Sequence, residues 1–280
     1  MELNKVLMNF SKDVSLASKL IGLLLFIGTI ITASTSVLAS NNKNTRELVI
    51  VADEDFPPYT YMDKGELKGI YVELLAELSN QLLPDYQVKI IAQPWKRALQ
   101  TVKSGRAFAI IPPHRHYTSR PYIAPYSVPL LTETIVAFCR ENINLDLALS
   151  GNPMNKVNVG INAGYEILTP KYQKAISRRN IIIRENKSTN ANLLKLLNGR
   201  IDCYINDRRT ILHGLKEVQA TLAMSQTLVS VIEVDVLSEN TAHIGFSREF
   251  FLKEKEVLVN EIDRIIEKEK KDGSLQGTVY

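Results

Sequence analysis

Cysteine is scarce in this chain, with two residues among 280, and tryptophan scarcer, with one. Cys139 and Cys203 stand far apart, and neither a Cys-x-x-Cys pair nor a zinc-type spacing of Cys and His occurs. A redox dithiol or a structural zinc site therefore organises nothing here, and neither metal nor cofactor is expected. Charge of one sign is also lacking: 34 Lys and Arg against 30 Asp and Glu leave a formal +4. A nucleic-acid binder normally shows a basic stripe with interleaved aromatics, whereas Arg178-Arg179 and Arg208-Arg209 are short and read as solvated surface. No nucleic-acid partner follows. Gly-x-Ser-x-Gly, a phosphate-cradling loop and a Cys/His nucleophile pair are absent as well, so no catalytic residue is assigned. Asp53 and Glu166 are the carboxylates open to acid–base work if the chain is an enzyme, which it is not expected to be. There is no internal repeat and no low-complexity segment.

The apolar run Leu20 to Ile31 is about a dozen residues, short of the ~20 that cross a bilayer. Lys5, Lys12 and Lys19 precede it, and Ser36-Val37-Leu38-Ala39 places small residues where a signal peptidase cuts. Residues 1–39 read as a cleaved secretory signal, and the mature chain as periplasmic. No Cys follows the site, which argues against a lipid anchor. Export permits a bridge between Cys139 and Cys203, each inside an apparent strand, but nothing in the spacing sets their separation. The reading adopted is two buried free thiols. At 45% apolar, the remainder suffices for one or two substantial cores.

Behind the signal, Glu47 to Leu82 is the richest stretch. Leu48 to Ala52 is an apolar, largely β-branched run, as in a strand buried on both faces of a parallel sheet. Asp53, Glu54 and Asp55 end it, since unpaired carboxylates do not stay inside an apolar sheet, and Pro57-Pro58 forbid ladder bonding. The chain is expected to leave the strand as a stiff loop carrying Phe56, Tyr59 and Tyr61. Ligands of open α/β sheets sit beyond the carboxyl ends of the strands, which places these aromatics and Asp53 near one. Asp63-Lys64-Gly65 turns the chain, and Ile70, Leu74, Leu75, Leu78 and Leu82 recur at helical spacing.

Further strands are expected at Val88–Ile91, Phe108–Ile111, Lys156–Ile161 and Ile181–Ile183, with helices over Lys96–Lys103 and Asn190–Leu197. Trp95, after Pro94, is either a contact for a ligand or an anchor for its helix. His114-x-His116 lacks a third His or Cys and reads as surface or ligand-loop histidines. Leu130–Arg140 is a long extended run, and Val229–Val236 another that Ser238-Glu239-Asn240-Thr241 interrupts. Asp207 ends an apolar strand and suits the N-cap of a helix over Thr210 onward. His243–Arg248 returns as a strand, and Leu258, Ile262, Ile265 and Ile266 mark a closing helix.

Strand, PPY loop, turn and helix, followed by PWKRAL and the Arg120…Tyr126-Ser127 spacing, resemble the type II periplasmic solute-binding proteins of family 3, the branch that binds amino acids and other small polar solutes. The resemblance runs from about Glu47 to Tyr280. It implies a two-lobed α/β fold, each lobe a mixed, mostly parallel sheet flanked by helices, joined by two hinge crossings: residues 45–137 with 241–280 as lobe one, 138–240 as lobe two. It implies a monomer that closes on an amino-acid-like solute and presents it to an ABC transporter membrane permease. By the same resemblance Tyr59, Tyr61 and Trp95 cover the solute, Arg120 grips a carboxylate and Asp207 accepts an ammonium. Arg120 stands two residues after Thr118, where the family has three, which leaves Arg115 as competitor. A small-residue loop at Gly164 takes an anionic end at a helix start, though Ala163 and Tyr165 replace the usual Ser or Thr. Relatives of this fold also include exported dehydratases and receptor sensory modules.

Overall fold

Two five-stranded sheets order the chain, and the apolar runs supply their central strands. The computed structural model describes residues 45–222, 230–273 and 275. The secretory signal read at residues 1–39 lies outside them. From Thr45 the chain forms β1 (Arg46–Asp53), the short β2 (Asp55–Phe56), β3 (Thr60–Asp63) and β4 (Glu66–Lys68), then α1 (Ile70–Leu82), β5 (Tyr86–Gln93), α2 (Trp95–Lys103), β6 (Ala109–Ile111) and β7 (Ile123–Tyr126). Next come β8 (Thr132–Arg140), α3 (Leu145–Ser150), β9 (Val157–Asn162), α4 (Pro170–Ser177), β10 (Ile181–Asn186), α5 (Thr189–Leu197), β11 (Cys203–Asp207), α6 (Arg208–Leu222) and β12 (Val231–Thr241). The chain returns as β13 (Gly245–Ser247) and closes with α7 (Lys255–Lys271). Among the described residues no helix is long and apolar enough to cross a membrane.

The first sheet has the order β5-β1-β6-β13-β7, with β1 parallel to both β5 and β6. Pro125 falls in β7, the edge strand, where a missing N–H costs no ladder bond. The second sheet runs β10-β9-β11-β8-β12, parallel at β9 and antiparallel around β8. Leucines and isoleucines of α1 and α7 cover one face of the first sheet, and those of α5 and α6 a face of the second. The two lobes are thus separate cores joined by two passages of chain. Backbone bonds tie those passages: Leu130 N donates to Ala242 O at 2.8 Å, and Ala242 N to Leu131 O at 2.9 Å.

Three differences from the sequence reading follow from pairing. The polar run Ser238–Thr241 does not interrupt its strand, because β12 pairs with β8 from Val231 to Thr241 and absorbs the irregularity in two bulges. All of β8 belongs to the second sheet from Thr132, so the start of lobe two read at Phe138 lies within a strand. The expected stiff loop after β1 is a small antiparallel sheet, β2-β3-β4, with Pro57-Pro58 in its first turn rather than in its ladder. Gly69 links that sheet to α1 at φ 123°, and a Cβ there would lie 2.2 Å from the Tyr59 carbonyl oxygen.

The cysteines require a correction. Cys139 on β8 and Cys203 on β11 are directly opposite in antiparallel register, with Cα atoms 4.0 Å apart, and form a disulfide. Both are fully buried. The pairing was invisible in the sequence because it depends on the register of two strands 64 residues apart.

Candidate functional site

Strand ends from both lobes converge on one cavity of about 40 Å³. That is far below the roughly 300 Å³ at which small-molecule pockets usually begin, so a solute must part the contacts that fill it. From the first lobe come Asp53 at the tip of β1, Phe56 on β2, Trp95 opening α2, and His114, His116 and Arg120 beyond β6. Facing them are Tyr165, Glu166 and Ile167 after β9, Asn206 on β11, and Glu133 and Ile135 on β8. Asp53 and residues 165–167 lie at or beyond the carboxyl ends of parallel strands, where open α/β sheets take their ligands, while Glu133, Ile135 and Asn206 project from within β8 and β11.

Asp53 is 4% exposed and accepts the Tyr165 hydroxyl at 2.7 Å and the Asp55 N–H at 3.1 Å. Burial pushes its carboxyl up to about 7, against the lowering effect of those two donors. Aromatic rings flank it: Tyr165 stands edge-on to Phe56 at 6.1 Å and to Trp95 at 6.2 Å. Arg120 is 3% exposed, its guanidinium carbon 5.6 Å from the centre of the Trp95 ring. Its Nη2 donates to the Gly164 carbonyl at 3.0 Å, and Nε lies 3.5 Å from Glu166 Oε1. His116 is pushed down to about 4, first by burial and then by the Arg120 charge. Glu133 is buried, 2.6 Å from His114 Nε2 and bonded by the Tyr71 hydroxyl at 3.3 Å; burial raises its carboxyl.

Of the residues singled out from the sequence, Asp53, Phe56, Trp95 and Arg120 line this cavity together. Tyr59 does not: it is fully buried, stacked between Phe56 and Tyr71, and donates to Asp207. Tyr61 lies against His213, lining a different hollow with Asp55 and Thr189. Asp207 is 1% exposed and accepts from Tyr59 Oη, Thr134 N and Thr210 N, each at 3.1 Å. Its neighbour Asn206 is the one at the cavity. Gly164 presents its carbonyl to Arg120 and not its N–H to an anion, and no helix starts there, the next being α4 at Pro170. Arg115 bonds the Ser127 carbonyl at 3.3 Å and is not in the cavity wall. Glu133 was missed, although a lone carboxylate within the apolar run Leu130–Arg140 was a signal, since buried charge persists only with partners.

Contacts across the cleft tie the lobes at several further points. Lys96 Nζ lies 2.6 Å from Glu185 Oε2, and the Asp55 carboxylate accepts Thr189 N at 2.5 Å where α5 begins. Burial raises Asp55 to about 6.

Comparison with known proteins places this architecture. Three similar solved structures are a P235GK mutant of ArgBP from T. maritima (20% identity, TM-score 0.60, covering 82% of this chain and 92% of that one), the ancestral amino acid-binding protein AncCDT-1, a precursor of cyclohexadienyl dehydratase (20%, 0.61, 82% and 92%), and a histidine kinase sensor domain with similarity to periplasmic binding proteins (16%, 0.62, 84% and 95%). At such identities they establish the two-lobed fold. No match was found among curated protein sequences. Residues 48–279, nearly all of the described chain, match the bacterial extracellular solute-binding proteins, family 3, and the chain belongs to that family.

Proposed function

We propose that the chain is an exported solute-binding protein that captures a small polar solute, an amino acid or a related compound, between its lobes and delivers it to an ABC-type permease. Arg120 carries this reading: a buried guanidinium, backed by Trp95, stands where both lobes meet, in the cavity that the Asp53 carboxyl also lines. A buried guanidinium is a fixed fork of donors that holds a carboxylate in two parallel bonds, from the solute or from the facing lobe, and so orders the cleft. Asp53, Phe56 and Trp95 take the remainder of the solute. Similarity to the ancestral amino acid-binding protein AncCDT-1 supports the solute class.

In this reading the protein is a periplasmic monomer without catalytic residues, and the passages near Leu130 and Ala242 act as the hinge on which closure presents the bound form to the permease. A thermal-shift screen against amino acids, polyamines, organic acids and short peptides identifies the solute. Calorimetry on Arg120→Ala then gives at least a tenfold loss, as expected where a charge-assisted bond of about 1.5–3 kcal/mol orders the cleft; wild-type affinity would refute the site. Recovery of the solute unchanged separates capture from turnover. The sensor-domain neighbour favours a second use of the same closure, docking on a membrane receptor. Loss of solute uptake in a deletion strain decides for the permease.

A further inference from the structure

Three carboxylates, Asp53, Glu133 and Glu166, line the cavity, and Glu166 rests on the guanidinium described above. Glu166 Oε1 is 3.5 Å from Arg120 Nε; its Oε2 accepts the Ser119 hydroxyl at 2.5 Å and lies 3.7 Å from His116 Nδ1. Two residues earlier, the Gly164 carbonyl takes Arg120 Nη2 at 3.0 Å. Nε and Nη2 are the two parallel donors along one edge of the guanidinium, the edge that grips a carboxylate side-on. Residues 164–166 therefore occupy that edge from within the chain.

We propose that Glu166 is a specificity-determining residue that holds Arg120 in place of a solute carboxylate, so that the site selects an amine over the amino acid of the same skeleton. The inference rests on the solute-binding reading and names the solute class within it. A solute carboxylate must displace Glu166 from the guanidinium and then sit in a cavity that Asp53 and Glu133 also line. A further carboxylate in so small a volume either meets like charge or finds these two protonated and offering it no cation, and both oppose its entry. An ammonium meets the reverse situation. Among the described residues Asp53 forms no ion pair, its partners being the Tyr165 hydroxyl and the Asp55 N–H, and Phe56 and Trp95 line the same cavity. A cation entering there favours the ionised form of the Asp53 carboxyl and gains it as a partner beside apolar aromatic walls.

Matched pairs that differ only in the α-carboxylate isolate the effect: L-arginine and agmatine, L-lysine and cadaverine, L-ornithine and putrescine. Their affinities are measured by calorimetry for the wild type, Glu166→Gln and Glu166→Ala. Glu166 is about half exposed, so both substitutions are compatible with folding, and melting curves verify it. The wild type binds the amine of at least one pair about tenfold tighter than its amino acid, and both variants shift that ratio toward the amino acid by about tenfold or more. A ratio that stays within about threefold of wild type in both variants overturns the assignment while leaving the solute-binding function standing. A wild type that prefers the amino acids overturns it too. Failure of all three proteins to bind any of these compounds also overturns it, and the wider thermal-shift screen then decides the function separately.

Discussion

Tyr59 donates its hydroxyl hydrogen to Asp207 across 3.1 Å in the closed interior between the small β2-β3-β4 sheet and the start of α6, so two residues that the sequence offers as solute contacts hold each other. Asp207 also caps α6 through Thr210 N and fixes β8 through Thr134 N. Burial raises its carboxyl, while these donors work to lower it. Removing the carboxylate leaves three buried donors without their acceptor. Asp207→Ala is therefore predicted to cost about 2–3 kcal/mol in urea unfolding, the sum of a lost cap and unsatisfied buried groups. Tyr59→Phe costs about 1 kcal/mol. An Asp207→Ala variant of wild-type stability that nonetheless loses solute affinity would restore the ammonium-binding role.

The same pair shows how far the sequence can be read. That β11 ends at Asp207 was legible, because an apolar run stops at a polar pair. Which of Asn206 and Asp207 faces the cleft was not: adjacent strand residues point to opposite sides, and the register that decides is set by β8 and β9. Tyr59 lies away from the cavity for a related reason. Aromatics on a presumed loop look available, whereas pairing of Asp55 with Tyr61 turns that loop into a sheet with Tyr59 beneath it. That Asp53 ends a strand and Trp95 opens a helix was legible because both are local events, while Arg120 stood out only by its spacing to Tyr126-Ser127. Glu133, Tyr165 and Glu166 complete the cavity from residues far along the chain, and only the meeting of the lobes brings them in.

Gly164 holds φ 86° to aim its carbonyl at Arg120, and a Cβ there would lie 2.7 Å from Lys96 Cγ. An L-residue in the left-handed region costs on the order of 1–2 kcal/mol, and the Lys96 stem that must move carries the cross-cleft pair with Glu185. Gly164→Ala is predicted to lower stability by about 1–2 kcal/mol and to weaken solute binding in the same measurement series. A variant with unchanged affinity would mean that the carbonyl plays no part in placing the guanidinium.

The Cys139–Cys203 bridge closes 64 residues of the second lobe. In the chain-entropy account a loop of that length is worth roughly 4 kcal/mol through restriction of the unfolded state. Both sulfurs are buried, so a reductant acts only when the lobe opens. The double variant Cys139→Ala/Cys203→Ala is predicted to melt well below the wild type, and dithiothreitol to lower the wild-type urea midpoint while leaving the variant's unchanged. Equal midpoints for the two proteins under oxidising conditions would contradict the bridge.

Asp53 makes stability depend on pH in the direction opposite to that of a salt-bridged carboxylate. Its carboxyl is raised by burial from 3.8 to about 7, and that of Asp55 to about 6. Between about pH 4 and 7 the folded chain therefore retains a proton at Asp53 that the unfolded chain has lost, and stability falls as pH rises through that window. Below it both states are protonated and the full contribution is present; above it both are ionised and the penalty is constant. Three pH units at about 1.4 kcal/mol each set a ceiling of roughly 4 kcal/mol for this one group. Asp53→Asn keeps the oxygen that accepts the Tyr165 hydroxyl but removes the titration. It is predicted to flatten the decline, leaving the smaller slope of Asp55, and to be more stable than wild type at pH 8 but not at pH 4. Calorimetric melting from pH 4.5 to 8 reads both slopes, and identical slopes in the two proteins would show that Asp53 titrates in the folded state as it does in the unfolded chain.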